Sequence, residues 1–350
     1  MGYLDKGRWC VSNDTGSLEK PWVAANAAAS VRRKKRVRRL VLYLLPLIAL
    51  LIASLVNPYI QYVLNLVLIY VLITVGFNVI LGNTGQLAFA SVVFFGVGAY
   101  TTSILVYHLG WPFWVTIIPA GLVSCLFAVA MSAPALRGVR SFYLAMLTLA
   151  FVELMRWVYV NAESLTLGSG GISLSAPTLL GFTLNTELKK FIFFLIVVVI
   201  LVKATSNLLR SRYGRAFMAV RDNELAAAAV GIPTAQYVVL GFGWGGFVIG
   251  IAGSLYAGHV QLVSPEAFGV SELILHFAMV IVGGIGSLAG SVLGAVVLSA
   301  IPELAQQWPG TAELFMGGAI IIVLLFVPKG LISLVYRFVP MLRDQYHGGD

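Results

Sequence analysis

Few residues in this chain are of types that could carry out chemistry, and their spacing predicts no enzyme. The four histidines are scattered along the sequence, without a cysteine partner or the spacing of metal ligands. No glycine is followed by lysine, so the chain has no phosphate-binding loop of its own. We therefore expect no catalytic residue, no metal site and no cofactor bound by this chain.

One pair of ionisable residues lies inside an apolar stretch. Glu153 and Arg156 are three residues apart, so they share one face of a helix and can pair. Ionisable residues at membrane depth are costly and usually face the interior of a helix bundle. We expect the pair either to orient helices or to take part in a substrate path or in contacts with a docking protein.

The elements that must position these residues are membrane-spanning helices. The chain is 59% hydrophobic and 11% charged, whereas a soluble domain is about 25% charged. At about 20 apolar residues per span, ten stretches qualify: 40–57, 59–81, 86–107, 111–133, 141–160, 188–206, 236–258, 272–285, 287–301 and 312–328. We predict an all-α integral membrane protein in which the eighth and ninth spans are short or broken, as half-helices or re-entrant segments.

The distribution of charge predicts the orientation and the outer parts of the chain. With ten spans, nearly all lysines and arginines fall on the side of both termini, which the positive-inside rule assigns to the cytoplasm. The net charge of +9 then reflects topology and contact with anionic lipid, not nucleic acid. Residues 1–39 are expected to be a disordered basic tail, 40–330 the transmembrane domain with a cytoplasmic segment at 207–235, and 331–350 a second cytoplasmic tail.

The cytoplasmic segment contains a short alanine-rich helix. Its predicted N-caps are Asp222 and Asn223, and Gly231 is suited to a left-handed C-terminal cap. The alanines between them, which include Ala226 and Ala227, favour helix and leave a smooth face. Such a helix, over 222–231, could dock in another protein's groove, with Arg221 and Glu224 as flanking polar contacts. The alternative is an ordinary interhelical loop.

Two glycine-rich stretches, 82–91 and 283–290, interrupt the apolar pattern. Irregular backbone at membrane depth is tolerated only where protein buries it or where it lines a water-filled cavity. One broken segment in each half of the chain favours a translocation path, and tight helix packing alone is the alternative. The side chains expected along this path are two aromatic and three polar ones: Gln86, Ser91, Phe94, Phe95 and Ser287.

Four ordered motifs carry a family resemblance. The run Gly82-Asn83-Thr84-Gly85-Gln86-Leu87 and the following Phe94-Phe95-Gly96-Val97-Gly98-Ala99-Tyr100 resemble the membrane permeases of branched-chain amino acid ABC importers. The segment 213–232, the group Ser264-Pro265-Glu266 and the run Gly283-Gly284-Ile285-Gly286-Ser287-Leu288 match in the same order. The chain is most similar to the longer, M-type permease. Urea and short-chain amide permeases belong to the same family and remain alternatives.

The resemblance implies one subunit of a bacterial inner-membrane importer with a fold similar to that of vitamin B12-type permeases. Its partners would be a second permease, two cytoplasmic ATPase subunits that hold ATP and magnesium, and an extracytoplasmic binding protein. Substrate would pass by alternating access. A glutamate-rich outer face is expected to meet the binding protein through Glu163, Glu266 and Glu272. A stand-alone secondary transporter or channel is the alternative class.

Overall fold

The computed structural model of the chain describes residues 57–134, 141–174, 178–179, 182–183, 186–305, 317–318 and 330–333. All of them lie in one compact unit, Ala49–Arg343. The predicted basic tail lies outside the described residues. So do the predicted spans 40–57 and 312–328 and the C-terminal tail, except for the few described positions inside these ranges.

Long apolar helices make up most of the described chain. Eleven α-helices are described, and they are numbered in chain order: α1 Pro58–Asn78, α2 Ser91–Leu109, α3 Phe113–Ser132, α4 Ser141–Asn161, α5 Glu163–Thr166, α6 Glu187–Arg210, α7 Arg212–Asp222, α8 Glu224–Ala229, α9 Thr234–Val260, α10 Val270–Gly283 and α11 Leu288–Ala305. Helix α1 continues into a π-helical turn, Val79–Asn83. Short 3₁₀ turns cover Gly168–Gly170 and Pro265–Phe268.

Six of these helices are long and apolar enough to cross a membrane, namely α1, α2, α3, α4, α6 and α9. Helices α10 and α11 are apolar but shorter, as the glycine-broken pattern of the eighth and ninth spans predicted. The all-α membrane class is therefore confirmed. Eight of the ten predicted spans are helices here, and the count of ten depends on the two outside the described residues.

Helix α2 begins later than predicted. The predicted span started at 86, but residues 85–90 are not helical, and the helix starts at Ser91. Gly85 adopts a φ of +71°, a left-handed conformation that breaks the helix after the π-helical turn. Residues 85–90 therefore form a non-helical connection between the π-helical turn and α2.

Two small antiparallel sheets join the loops at the end of the bundle opposite α7 and α8. Strand β1, Ile172–Ser173, pairs with β4, Leu262–Val263. Strand β2, Thr178–Leu179, pairs with β3, Phe182–Thr183. The first pairing connects the loop after α4 to the loop after α9, so the 3₁₀ turns in both loops belong to one surface.

Helix α9 is the centre of the bundle and packs against α1, α2 and α3. Its glycines allow the neighbouring backbones to approach closely, because any side chain would meet main-chain atoms. A Cβ at Gly76 of α1 would lie 2.8 Å from the Gly245 carbonyl oxygen, and a Cβ at Gly98 of α2 would strike the backbone of Gly250. The core is thus built on glycine contacts between α9 and its neighbours.

Candidate functional site

The predicted docking segment folds as two helices, not one. Ser211 caps α7, since its hydroxyl accepts from the Tyr213 amide at 3.1 Å. Asn223 adopts an extended conformation that separates α7 from α8, and its Oδ1 accepts from the Ala226 amide at 3.0 Å. The prediction that Asn223 caps the alanine helix is confirmed. The prediction that Asp222 does so is wrong, because Asp222 is the last residue of α7.

The predicted stop of the alanine helix is also present. Helix α8 ends at Ala229, and Gly231 follows with a φ of +85°, which a side-chain-bearing residue rarely adopts. The amide of Gly231 donates to the Ala228 carbonyl, and the amide of Ile232 donates to that of Ala227. These bonds close the end of α8, so its length is limited to less than two turns.

The exposed side of α8 is not the smooth alanine face that was predicted. Ala227 is only 4% exposed and packs against the chain itself, so it anchors α8 and does not face outward. Leu225 and Val230 are 84% and 77% exposed. We call the exposed residues Leu225, Ala226, Ala228, Ala229 and Val230 the α8 surface.

Arg221, predicted to flank this surface, is an exposed residue whose side chain also reaches the body of the chain. Its Nη1 donates to the Gly82 carbonyl at 3.0 Å. Its Nε lies 3.4 Å from Oδ1 of Asp222. Glu224, in the first turn of α8, is exposed as predicted for a flanking contact. The two charged residues predicted to act alike therefore have different surroundings.

The two broken segments meet each other, and Asn78 joins them. Its side-chain oxygen accepts from the Gly286 amide at 2.8 Å, and its Nδ2 donates to the Ser287 carbonyl at 2.9 Å and contacts Ser291 Oγ at 2.6 Å. Asn83 Nδ2 in turn donates to the Asn78 carbonyl at 3.0 Å. The Gly286 amide and the Ser287 carbonyl, which the glycine-rich break leaves without helix partners, are thus bonded by the Asn78 side chain of α1.

The five predicted path residues are all inside this chain. The Oγ of Ser91 lies 3.3 Å from Nδ1 of His276, and both side chains are fully buried. None of the five exposes more than 8% of its surface: Gln86, Ser91, Phe94, Phe95 and Ser287. In this conformation all five are buried within the chain, and their role along a substrate path stays a prediction.

The three glutamates predicted to meet a binding protein divide into two groups. Glu163 begins α5, Glu266 lies in the 3₁₀ turn after β4, and both are exposed on the surface that the β1–β4 pairing forms. Glu272 is half-buried, and its Oε1 lies 3.2 Å from Nε2 of the buried His276 one turn further along α10. Glu272 therefore belongs to the interior, unlike the other two.

The Glu153–Arg156 pair exists, but it faces outward. The Arg156 Nη1 and Glu153 Oε2 are 4.0 Å apart, and their side chains are 47% and 57% exposed. They lie on the face of α4 that also exposes Tyr143, Leu154 and Trp157. The pair is therefore not covered by the described part of this chain, so another molecule must cover it or the charges meet lipid.

A second group of ionisable residues was missed. Glu187 Oε1 accepts from Lys190 Nζ at 2.9 Å, and Glu187 Oε2 accepts from Asn65 at 2.9 Å and lies 3.7 Å from His259 Nδ1. The group ties the start of α6 to α1 and α9. Its signal in the sequence was the three-residue spacing of Glu187 and Lys190. Among the described residues, no three His, Cys, Asp or Glu side chains come together as metal ligands.

Comparison with known proteins identifies the family. Residues 59–325 match the sequence profile of the family described as "Branched-chain amino acid transport system / permease component". This match covers most of the chain. The chain belongs to this family. It is a transport permease subunit that crosses the membrane several times.

The M-type resemblance of this permease is also confirmed. The high-affinity branched-chain amino acid transport system permease proteins LivM of Salmonella typhimurium LT2 and of Escherichia coli K12 are each 30% identical to it. They match over 80% and 85% of this chain and 70% and 75% of their own lengths. LivH of E. coli K12 is 23% identical over 75% of this chain and 91% of LivH.

The contacts of Asn78 predict a large loss of stability when its amide is removed. Asn78→Leu leaves the Gly286 amide and the Ser287 carbonyl without their buried partners, each at a cost of about 1–3 kcal/mol. We expect a clear fall in the thermal unfolding midpoint of the purified permease in detergent. The matched control is Asn161→Leu at the exposed end of α4, where a change within about 0.5 kcal/mol is expected. Equal midpoints for the two variants would contradict the assigned role of Asn78.

Proposed function

We propose that this permease is the membrane-spanning subunit of an ATP-driven importer that carries branched-chain amino acids inward by alternating access. The observation that carries the proposal is the α8 surface. Two large apolar side chains, Leu225 and Val230, stand exposed on a short helix at the arginine-rich end of the bundle. The positive-inside rule places that end in the cytoplasm, where a nucleotide-hydrolysing partner would bind it. Magnesium and ATP would be held by that partner.

The partner that meets the α8 surface is one of two ATPase subunits. A short helix with a central alanine patch and an apolar residue at each end is suited to a groove, because its exposed area is small and rigid. Helix α8 contacts α7 and α9, and Ala227 is its buried residue. Closure of the ATPases on ATP would therefore move α8 together with the helices beneath it.

A second permease would cover the outward face of α4. Charged side chains on the lipid-facing surface of a span are costly, and a protein partner removes that cost. The exposed faces of α3 and α6 carry residues such as Ile118, Leu126 and Ile196, which are compatible with lipid, whereas the α4 face carries Glu153 and Arg156. The relatives LivM and LivH are named as permease proteins of the same kind of transport system, the high-affinity branched-chain amino acid system, and this supports a heterodimer.

The surface at the opposite end of the bundle would receive the binding protein outside the bacterial inner membrane. The β1–β4 pairing brings the loops of Glu163 and Glu266 into one surface. Their charges would guide encounter with a binding protein more than they would add affinity. Glu272 is half-buried with its Oε1 3.2 Å from Nε2 of His276, so we assign the contact to Glu163 and Glu266.

The substrate and the energy source can be tested in one assay. The permease is purified together with the ATPases, second permease and binding protein encoded near its gene, and the complex is placed in proteoliposomes. We expect uptake of labelled leucine, isoleucine or valine that requires both ATP and the binding protein. Labelled urea and acetamide should not be taken up.

The same assay separates the alternatives. A stand-alone secondary transporter would use an ion-coupling group such as the half-buried Glu272 together with the buried His276. It would carry substrate in proteoliposomes that contain this chain alone and an ion gradient. Uptake under those conditions, or ATP-dependent uptake of urea but not of amino acids, would overturn the proposal.

The α8 surface predicts which substitution detaches the ATPase. Leu225→Asp places a carboxylate in a contact that would be apolar, and central apolar contacts of interfaces contribute about 2 kcal/mol or more. We expect the affinity for the ATPase subunit, measured with the detergent-solubilised permease, to fall by about 30-fold. The control Asn207→Asp puts the same charge on the exposed end of α6 and should leave binding unchanged. Undiminished binding by Leu225→Asp would remove α8 from the interface.

Charge reversal at Glu266 tests the binding-protein surface. Glu266→Lys should slow association of the substrate-loaded binding protein by about tenfold at low ionic strength, and the effect should largely disappear in 1 M salt. The control Glu272→Gln removes a carboxylate that faces the interior, so it should not alter association. Association rates are measured by surface plasmon resonance on nanodiscs. A salt-independent effect of Glu266→Lys would argue against charge steering.

A further inference from the structure

Arg221 occupies a slot between the two glycine-rich segments. Its Nη1 donates to the Gly82 carbonyl at 3.0 Å, across 139 residues of sequence. A Cβ at Gly85 would lie 2.8 Å from Arg221 Cγ, and a Cβ at Gly286 would lie 2.6 Å from Nη1. The stem of Arg221 thus lies beside Gly85 and its guanidinium beside Gly286, and a Cβ at either position would force the arginine to shift.

The backbone of the slot is shaped for this fit. Gly85 and Gly286 have φ values of +71° and +80°, in the left-handed region that favours glycine. Each of the two segments places one such glycine against the same arginine. Helix packing alone would not require this, because the close helix contacts in the second segment are made by Gly283 and Gly290. The slot and the helix contact are separate features.

The residues on both sides of the slot, Gly82 and Gly286, are connected directly to long helices. Gly82 lies in the π-helical turn at the end of α1. Gly286 lies in the junction between α10 and α11, and its amide is bonded to Asn78 of α1. A displacement of the guanidinium would therefore act on α1, α10 and α11 at once.

The backbone of Arg221 lies close in sequence to α8 and its exposed surface. Arg221 is the second-last residue of α7, and Asn223 directly follows α7 and caps α8. The Arg221 side chain is also held by Asp222, whose Oδ1 lies 3.4 Å from its Nε. Only two residues separate the arginine from the first residue of α8, so a motion of α8 would reach it through a short stretch of backbone.

We propose that Arg221 is the positioning residue that transmits the movement of α8 to the two broken segments, and so couples ATP hydrolysis to opening of the substrate path. The inference rests on the proposed function, since it requires an ATPase that moves α8. It assigns Arg221 to the connection between the docking helix and the transmembrane helices, and not to the contact with the ATPase.

The test compares uptake with hydrolysis in the reconstituted importer. Arg221→Met removes the guanidinium and keeps the stem of the side chain. We expect the number of amino acids transported per ATP hydrolysed to fall by about tenfold, within the usual range of coupling between sites. Binding of the ATPase subunits and basal hydrolysis should stay at wild-type values, because the α8 surface is untouched. Arg215→Met, an exposed arginine of the same helix, is the matched control and should transport normally.

Two further measurements guard against a merely structural effect. Arg221→Lys can still donate to the Gly82 carbonyl, so it should recover part of the transport per ATP. The double variant Arg221→Met with Gly286→Ala should transport as poorly as the worse single variant, because both changes act on one slot.

The outcomes separate the inference from the proposed function. If the wild-type complex shows no ATP-dependent uptake, the proposed function fails. If the wild type transports and Arg221→Met keeps the wild-type ratio of transport to hydrolysis, only the role of Arg221 is overturned. Loss of ATPase binding by Arg221→Met would also overturn it, since Arg221 would then belong to the docking contact.

Discussion

The side-chain amide of Asn78 binds two adjacent residues in the junction between α10 and α11, and the arrangement of the helices around this junction depends on these bonds. In a membrane, a backbone amide or carbonyl without a partner costs several kcal/mol, so a helix can be interrupted only where another group replaces the lost bond. Asn78 supplies an acceptor to Gly286 and a donor to Ser287. Since Asn78 itself lies at the end of α1, the break becomes a joint between α1, α10 and α11.

Close helix contact gives the same joint its rigidity. Gly290 and Gly294 bring α11 against the backbone of α10, and the glycines of α9 do the same for α1 and α2. Such contacts leave no soft side chains between the backbones, so the helices move as groups and not singly. At the second break, the Gly286 amide and the Ser287 carbonyl are bonded to Asn78 within this packing.

The sequence was sufficient for the membrane class, for eight helices and for the family, because apolar length and ordered motifs depend on local residues. It was sufficient for the cap at Asn223 and the stop at Gly231 for the same reason. It could not show which way a side chain turns. Ala227 was expected on the exposed alanine face and is buried, and Arg221 also bonds to Gly82, 139 residues away in sequence.

The fit of one arginine against glycines from two distant segments limits how such permeases can be recombined. A chimera that took 82–91 from this chain and 283–290 from a relative would keep the slot only if the relative also has glycine at the position of Gly286. Any side chain at Gly85 or Gly286 would meet Arg221. Residues 82–91, residues 283–290 and the part of α7 that carries Arg221 therefore depend on one another. Exchange between family members is expected to succeed only when all three are transferred together.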